Sequence, residues 1–257
     1  MCELLAVSSG RKIKVNALLK TFFDRSDEHP NGWGLAILDG NNVSLEREPV
    51  KAKNSLYLKN RLSANIVTSN LLAHIRKATV GDVDYENTHP FVTKDESGRT
   101  WVLMHNGTIF DSPVISAYQY RQIGSTDSER VLLYLVDQVN KKILDDMNFF
   151  DVNERFKTVE SVIAKLSPEN KLNLVIHDGE YLYVHKNDVG TLFMKEVPGG
   201  VIFATHPLDN EDWTEAPDNQ LLVYKDGECV YKGHKHSYTY EENEEQTKLL
   251  YLGFSGL

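Results

Sequence analysis

A cysteine stands directly behind the initiator methionine in MCELLAVSS. With Met1 removed, Cys2 would carry a thiol and a free α-amine on one residue, a nucleophile and a base together, which an internal cysteine cannot offer. Four further stretches break the ordinary rhythm of the chain: HPNGWG (29–34), AHIRKATVG (73–81) leading to NTHPF (87–91), MHNG (104–107) and GSTDSE (124–129). Each falls where an expected strand ends or an expected helix begins, and binding groups concentrate at such ends because a rigid scaffold holds them.

Arg76 closes the apolar run SNLLAHIR, where a guanidinium can fork against a carboxylate or simply sit as a surface charge. Asp127 lies at the start of an expected helix; it either complements the helix dipole or provides a fixed anion. Together, the two would form a receptor for a zwitterion such as an α-amino acid headgroup. In HNG, the Asn106 amide and the Gly107 N–H could hold a developing oxyanion, although Asn-Gly is also a common turn. Trp33, between two glycines, is either a core side chain or one wall of a pocket beside Cys2. His74, His89 and His105 match no zinc spacing, so no metal is expected, and His89 is expected beside the pocket, where it could orient a substrate group.

These residues need elements to position them. Residues 2–9 read as a buried strand, and 15–26 as a helix with Val15, Leu18, Leu19, Phe22 and Phe23 on one face. GWGLAIL and NVSLER flank the turn DGNN as a hairpin. A short helix over 55–62 and strands over 69–76 and 99–106 follow. Residues 126–144 read as a long helix with Thr126 as N-cap and Glu129 completing a capping box. A second long helix spans 153–167 and stops at Pro168; only strands come after it, two pairs of them joined by Asp-Gly turns. Cys229 is expected to be a packing residue in the last strand, and the acidic run EENEE to lie in solvent. The whole suggests an α+β fold of one domain over 1–257: a four-layer αββα sandwich of two antiparallel sheets.

The bulk numbers narrow the classes. The chain has 257 residues, 41% apolar and 25% charged, with 28 basic against 37 acidic residues and a formal charge of -9. That surface disfavours nucleic acid and anionic membranes. No apolar stretch of roughly 18 residues and no signal-peptide core is visible. Two cysteines make no disulfide framework and suit a reducing, cytoplasmic setting.

In their order and separation, Cys2, AHIRKAT with Arg76, NTHPF with His89, HNG with Asn106 and Gly107, and STDSE with Asp127 resemble the class II glutamine amidotransferases. The resemblance is clear over about residues 1–135 and continues thinly through VIFATHPLDNEDW (201–213). It implies the N-terminal nucleophile hydrolase fold, an N-terminal cysteine nucleophile and no cofactor. Cys2 would attack the side-chain amide of L-glutamine, passing through a γ-glutamyl thioester to glutamate and ammonia. Asn106 and Gly107 would hold the oxyanion, Arg76 the α-carboxylate and Asp127 the α-ammonium. Lys77 follows Arg76 where synthase-linked relatives carry an aromatic residue, and Val80 replaces a histidine of some relatives. Both changes resemble the stand-alone group.

With no sugar-isomerase, phosphoribosyltransferase or P-loop pattern visible, two catalytic readings stand. The first is a glutaminase that feeds ammonia to a separate ammonia-accepting synthetase. The other is a stand-alone hydrolase of a γ-glutamyl compound, an amide or a peptide, which would use the same headgroup pocket. A glutamine-binding scaffold without turnover and an acylase of the penicillin or bile-salt type are further classes; the HNG and STDSE motifs argue against the acylase.

Overall fold

A computed structural model describes residues 2–110, 112–145, 151–246 and 248. Its strands are β1 (Glu3–Lys14), β2 (Trp33–Asp39), β3 (Asn42–Glu48), β4 (Val67–Ile75), β5 (Phe91–Lys94), β6 (Thr100–Thr108), β7 (Lys171–His177), β8 (Leu182–His185), β9 (Phe193–Val197), β10 (Gly200–Ala204), β11 (Thr214–Glu215), β12 (Leu222–Lys225) and β13 (Glu228–Lys232). The helices are α1 (Asn16–Phe23), α2 (Leu56–Ser63), α3 (Pro113–Ser116), α4 (Asp127–Asp145) and α5 (Val152–Leu166).

The strands form two antiparallel sheets, of order β11-β9-β10-β1-β4-β2-β3 and β13-β12-β8-β7-β6-β5. Alternation along the central strands produces the layers, because successive side chains of a strand point to opposite faces. Leu4 and Ala6 of β1, Leu72 of β4 and Phe203 of β10 meet Val102 and Met104 of β6, Val175 of β7 and Val184 of β8 between the sheets. The intervening residues, Leu5, Val7, Leu71 and Ala73 among them, face the other way and pack with Leu19 and Phe22 of α1 and Leu58 and Leu62 of α2. On the far side Leu103, Leu172, Leu174 and Ile176 pack under α4 and α5. These three apolar clusters separate four layers, the expected αββα sandwich.

Local chemistry sets the helix starts. Ser55 Oγ accepts the Leu58 N–H at 2.9 Å, and an Asp151 carboxylate oxygen accepts the Glu154 N–H at 2.9 Å. Thr126 Oγ1 caps α4 through the Glu129 N–H at 3.2 Å. Glu129 does not complete the expected reciprocal box. Its carboxylate instead accepts the N–H groups of Ile123 and Gly124, at 2.8 and 2.9 Å, fastening the preceding loop to the helix. EENEE is exposed as expected.

Cys229 corrects another expectation. It lies exposed on β13, an edge strand whose register with β12 shifts between Val223 and Tyr224. Among the described residues no strand lies beyond β13 to cover that position. The short strand β5 and helix α3 were also not expected; each has four residues, too few to display a period.

Leu72 is wholly buried between the sheets and Val67, on the same strand, is half exposed. Leu72→Ala should therefore cost about 2–5 kcal/mol in urea unfolding and Val67→Ala under about 0.5 kcal/mol. Equal costs would refute the inter-sheet placement.

Candidate active site

Antiparallel pairing of β1 with β4 matches Leu4 to His74 and Glu3 to Ile75. Continuing that register by one residue puts Cys2 opposite Arg76, both with the parity of Leu4 and Leu72, which face the second sheet. Cys2 is half-buried. Its Sγ accepts the Lys77 N–H at 3.4 Å and lies at the same distance from the Lys77 carbonyl. Burial pushes the thiol pKa up, while the Lys77 N–H and the Arg76 charge pull against it and Asp127 adds to the rise. The balance leaves a protonated thiol that needs a base before it can attack.

Arg76 is buried. Nη1 donates to the Asp82 carbonyl at 2.7 Å, and Nη2 to the carbonyls of Val80 and Gly81 at 2.9 and 3.0 Å. The arginine thus shapes the loop that follows it and keeps Nε and one Nη1 hydrogen for another acceptor. The loop before β2 holds the strand end: Asn31 N–H donates to the Arg76 carbonyl at 3.0 Å, Arg76 N–H to the Gly32 carbonyl at 2.8 Å, and Ala78 N–H to Asn31 Oδ1 at 3.0 Å.

The second sheet supplies Asn106 and Gly107 from β6. Asn106 shares the inward parity of Val102 and Met104, is 1% exposed, and has neither amide atom hydrogen-bonded among the described residues. A buried amide without partners costs about 1–3 kcal/mol, so its retention wants a reason. Gly107 pairs with Leu172, whose N–H goes to Asn187 Oδ1 and whose carbonyl meets His185 Nδ1. The Gly107 N–H therefore lies on the edge of β6 turned from β7, beyond Leu103, the last residue that β5 reaches. A Cβ at position 107 would fall 2.0 Å from the Lys171 carbonyl oxygen, so only glycine fits.

Asp127 is buried at the first turn of α4. Its carboxylate accepts the Ile109 N–H at 2.8 Å and the Ser128 N–H at 2.9 Å. These bonds tie the helix start to the end of β6, and Thr79 Oγ1 approaches Thr108 Oγ1 at 3.4 Å between the two sheets. Cys2, Arg76, Asn106, Gly107 and Asp127 thus gather at one end of the sandwich, with Arg76 and Asp127 both within electrostatic reach of Sγ.

One expected pocket residue lies elsewhere. Trp33 has the parity of Leu35, so its ring enters the layer under α1 and α2, wholly buried, with Nε1 donating to Glu48 Oε2 at 3.1 Å. His89 is buried with its ring stacked 4.2 Å from that of His74, which has the inward parity of Leu72 and Arg76, and no ring nitrogen of either has a hydrogen-bond partner among the described residues. His105 points toward α4, where Nδ1 meets Ser128 Oγ at 3.0 Å. Sequence reasoning singled out His89 in NTHPF and passed over Asn87, which the structure ties to both sides of the site. Asn87 Nδ2 donates to the Asp82 carbonyl at 3.1 Å and to Ser125 Oγ at 3.0 Å, and Oδ1 accepts the Ser125 N–H at 2.7 Å. Its place within a quoted motif was the available signal.

The family model of the class II glutamine amidotransferases matches residues 1–200, and the chain belongs to that family of enzymes, whose nucleophile is an N-terminal cysteine. Two antiparallel sheets between helices are its N-terminal nucleophile hydrolase architecture. An uncharacterized protein of Methanocaldococcus jannaschii is 33% identical over 258 residues, covering 90% of this chain and 71% of the relative. A gamma-glutamyl-hercynylcysteine sulfoxide hydrolase of Mycolicibacterium smegmatis is 23% identical over 219 residues, 83% of this chain and 87% of its own. The crystal structure of a predicted glutamine amidotransferase from Pseudomonas aeruginosa superposes with a TM-score of 0.64 at 25% identity, covering 90% of this chain and all of that one.

Burial pushes the pKa of His74 down to about 3, with Arg76 adding to the effect. Burial likewise brings His177 to about 4 and His185 to about 3. Unfolded histidines titrate near 6.5, so the unfolded chain binds protons first as pH falls. The stability that these neutral rings contribute is complete above about pH 6.5 and is lost progressively toward the folded values. Urea unfolding free energy should fall between pH 7 and 5 by up to about 1.4 kcal/mol per pH unit for each of these histidines. A flat profile there would mean that the rings are solvated in the native state.

Proposed function

We propose that the chain hydrolyses the side-chain amide of L-glutamine to glutamate and ammonia through a thioester on Cys2. The observation that carries this reading is Asn106: a buried, unpartnered amide on the face that looks across to the Cys2 strand. With Met1 removed, the Cys2 α-amine takes the Sγ proton as the sulfur bonds to the amide carbon. The oxyanion that develops receives Asn106 Nδ2–H and Gly107 N–H. Collapse expels ammonia, which leaves with the proton held by the α-amine. Water, activated by the same amine, then cleaves the thioester to glutamate and restores the thiol.

The free donors of Arg76 would hold the substrate α-carboxylate and Asp127 its α-ammonium, each prearranged by its backbone contacts. In this reading the ammonia passes to a separate synthetase. No step of this reaction calls for a metal or cofactor.

A stand-alone γ-glutamyl hydrolase is the second reading, favoured by the similarity to the Mycolicibacterium hydrolase. The headgroup contacts are the same and only the leaving group differs. Faster turnover of γ-glutamyl conjugates than of L-glutamine would select it.

Intact mass lacking Met1 together with ammonia release from L-glutamine is the expected result for the purified protein. Processed protein that releases neither ammonia nor a γ-glutamyl leaving group would overturn both readings. Cys2→Ala should abolish turnover and spare glutamine binding, and Asn106→Ala should lower kcat by about 100- to 1,000-fold. Arg76→Ala or Asp127→Ala should weaken glutamine binding by about 2–5 kcal/mol in calorimetric titration. Unchanged affinity in Asp127→Ala would return that carboxylate to a helix-dipole role.

A further inference from the structure

The two halves of the headgroup site belong to different elements. Arg76 directly follows β4 of one sheet, and Asp127 begins a helix that covers the other. Recognition of an α-zwitterion needs a fixed separation between cation and anion, because the two charges of the ligand sit on one carbon. Something must set that separation.

The geometry points to Asn87 as the residue that sets it: a positioning residue whose amide spaces the carboxylate half of the receptor from the ammonium half, making the site selective for α-amino acid headgroups. This rests on the headgroup reading of Arg76 and Asp127 above. The Asp82 carbonyl accepts Arg76 Nη1 at 2.7 Å and Asn87 Nδ2 at 3.1 Å, so Arg76 and Asn87 converge on one oxygen. The same amide grips Ser125 twice, at 3.0 Å through Oγ and 2.7 Å through the N–H, two residues before Asp127. A short path of hydrogen bonds thus leads from the guanidinium to the start of α4.

Asn87 is 3% exposed, and both ends of its amide are engaged. The flanking loops are built to let it approach. A Cβ at Gly124 would stand 2.3 Å from Asn87 Oδ1, and one at Gly81, where φ is +78°, would stand 2.9 Å from Ser125 Oγ. Both glycines are therefore required by the closeness of the loops that Asn87 joins. The Ser125 side cannot drift, because Glu129 and Thr126 hold residues 123–129 to the helix. Asn87 itself touches neither Cys2 nor the oxyanion donors, so its effect falls on binding and not on the thiol.

The test reads ligand protection of Cys2. In a Cys229→Ser background, which removes the exposed second thiol, iodoacetamide alkylation of Cys2 is followed by intact mass. L-glutamate serves as the protecting ligand and 3-aminopentanedioate, whose ammonium is one carbon further away, as the comparison. Asn87→Ala and Asn87→Asp are compared with the parent; the aspartate keeps the size and the acceptor for Ser125. In both variants the half-protecting concentration of L-glutamate should rise about tenfold, the loss of roughly one hydrogen bond in a charged site. The preference over 3-aminopentanedioate should shrink, and alkylation without ligand should stay within about twofold of the parent.

Unchanged protection and preference in the variants, beside a parent that is protected, would overturn the role of Asn87 alone. So would loss of the folded state in both variants, or a rise in unliganded alkylation that matches the loss of protection, since Asn87 would then be a clamp for the fold. A parent that L-glutamate does not protect would instead sink the headgroup reading, and this inference with it.

Discussion

Between the sheets, Leu4, Ala6 and Leu72 on one side press against Val102, Met104 and Val175 on the other. Burying that area expels water from both faces and supplies the largest favourable contribution to the association of the two sheets. It also fixes which side chains look inward. Cys2 and Arg76 have the parity of one apolar face and Asn106 that of the other, so the packing that stabilises the sandwich also brings these residues toward one another. A one-residue slip of β1 on β4 would turn Cys2 to the helix side.

At the end of that apolar layer the polar groups are unequally satisfied. Arg76 gives three hydrogen bonds to the loop beyond it, and Asp127 takes backbone N–H groups from the end of β6 and the start of α4. Both charges are thereby held in place. Asn106 is the contrast, a buried amide with nothing bonded to it. In the proposed reaction the oxyanion would supply its partner, and preorganised donors are most effective where water is excluded.

Much of the scaffold was legible. The long helices over 126–144 and 153–167 shifted by a single residue, because fifteen or more residues display a 3.6 period clearly. The hairpins at the two Asp-Gly turns and the alternation of the central strands carried the two sheets. The short pieces were not readable: β5 and α3 have four residues each, and their existence depends on β6 and α4 lying alongside. Cys229 was misplaced for a related reason. Alternation gives the two faces of a strand, but only the sheet order reveals that β13 is an edge.

By itself the sequence determined the types of group and the strand ends on which they stand: a cysteine behind Met1, an arginine ending an apolar run, HNG closing a strand, an aspartate in a capped first helical turn. Those are local properties, set by periodicity and by capping and turn chemistry over a few residues. Tertiary structure alone decided which face each side chain meets. It put Trp33 under the helices and His89 against His74, left the Asn106 amide unpartnered, and made Asn87 the link between the Arg76 loop and α4. These outcomes depend on contacts between segments far apart in the chain, such as Leu5 and Ala204, and no short-range pattern encodes the partner of a side chain across a sheet.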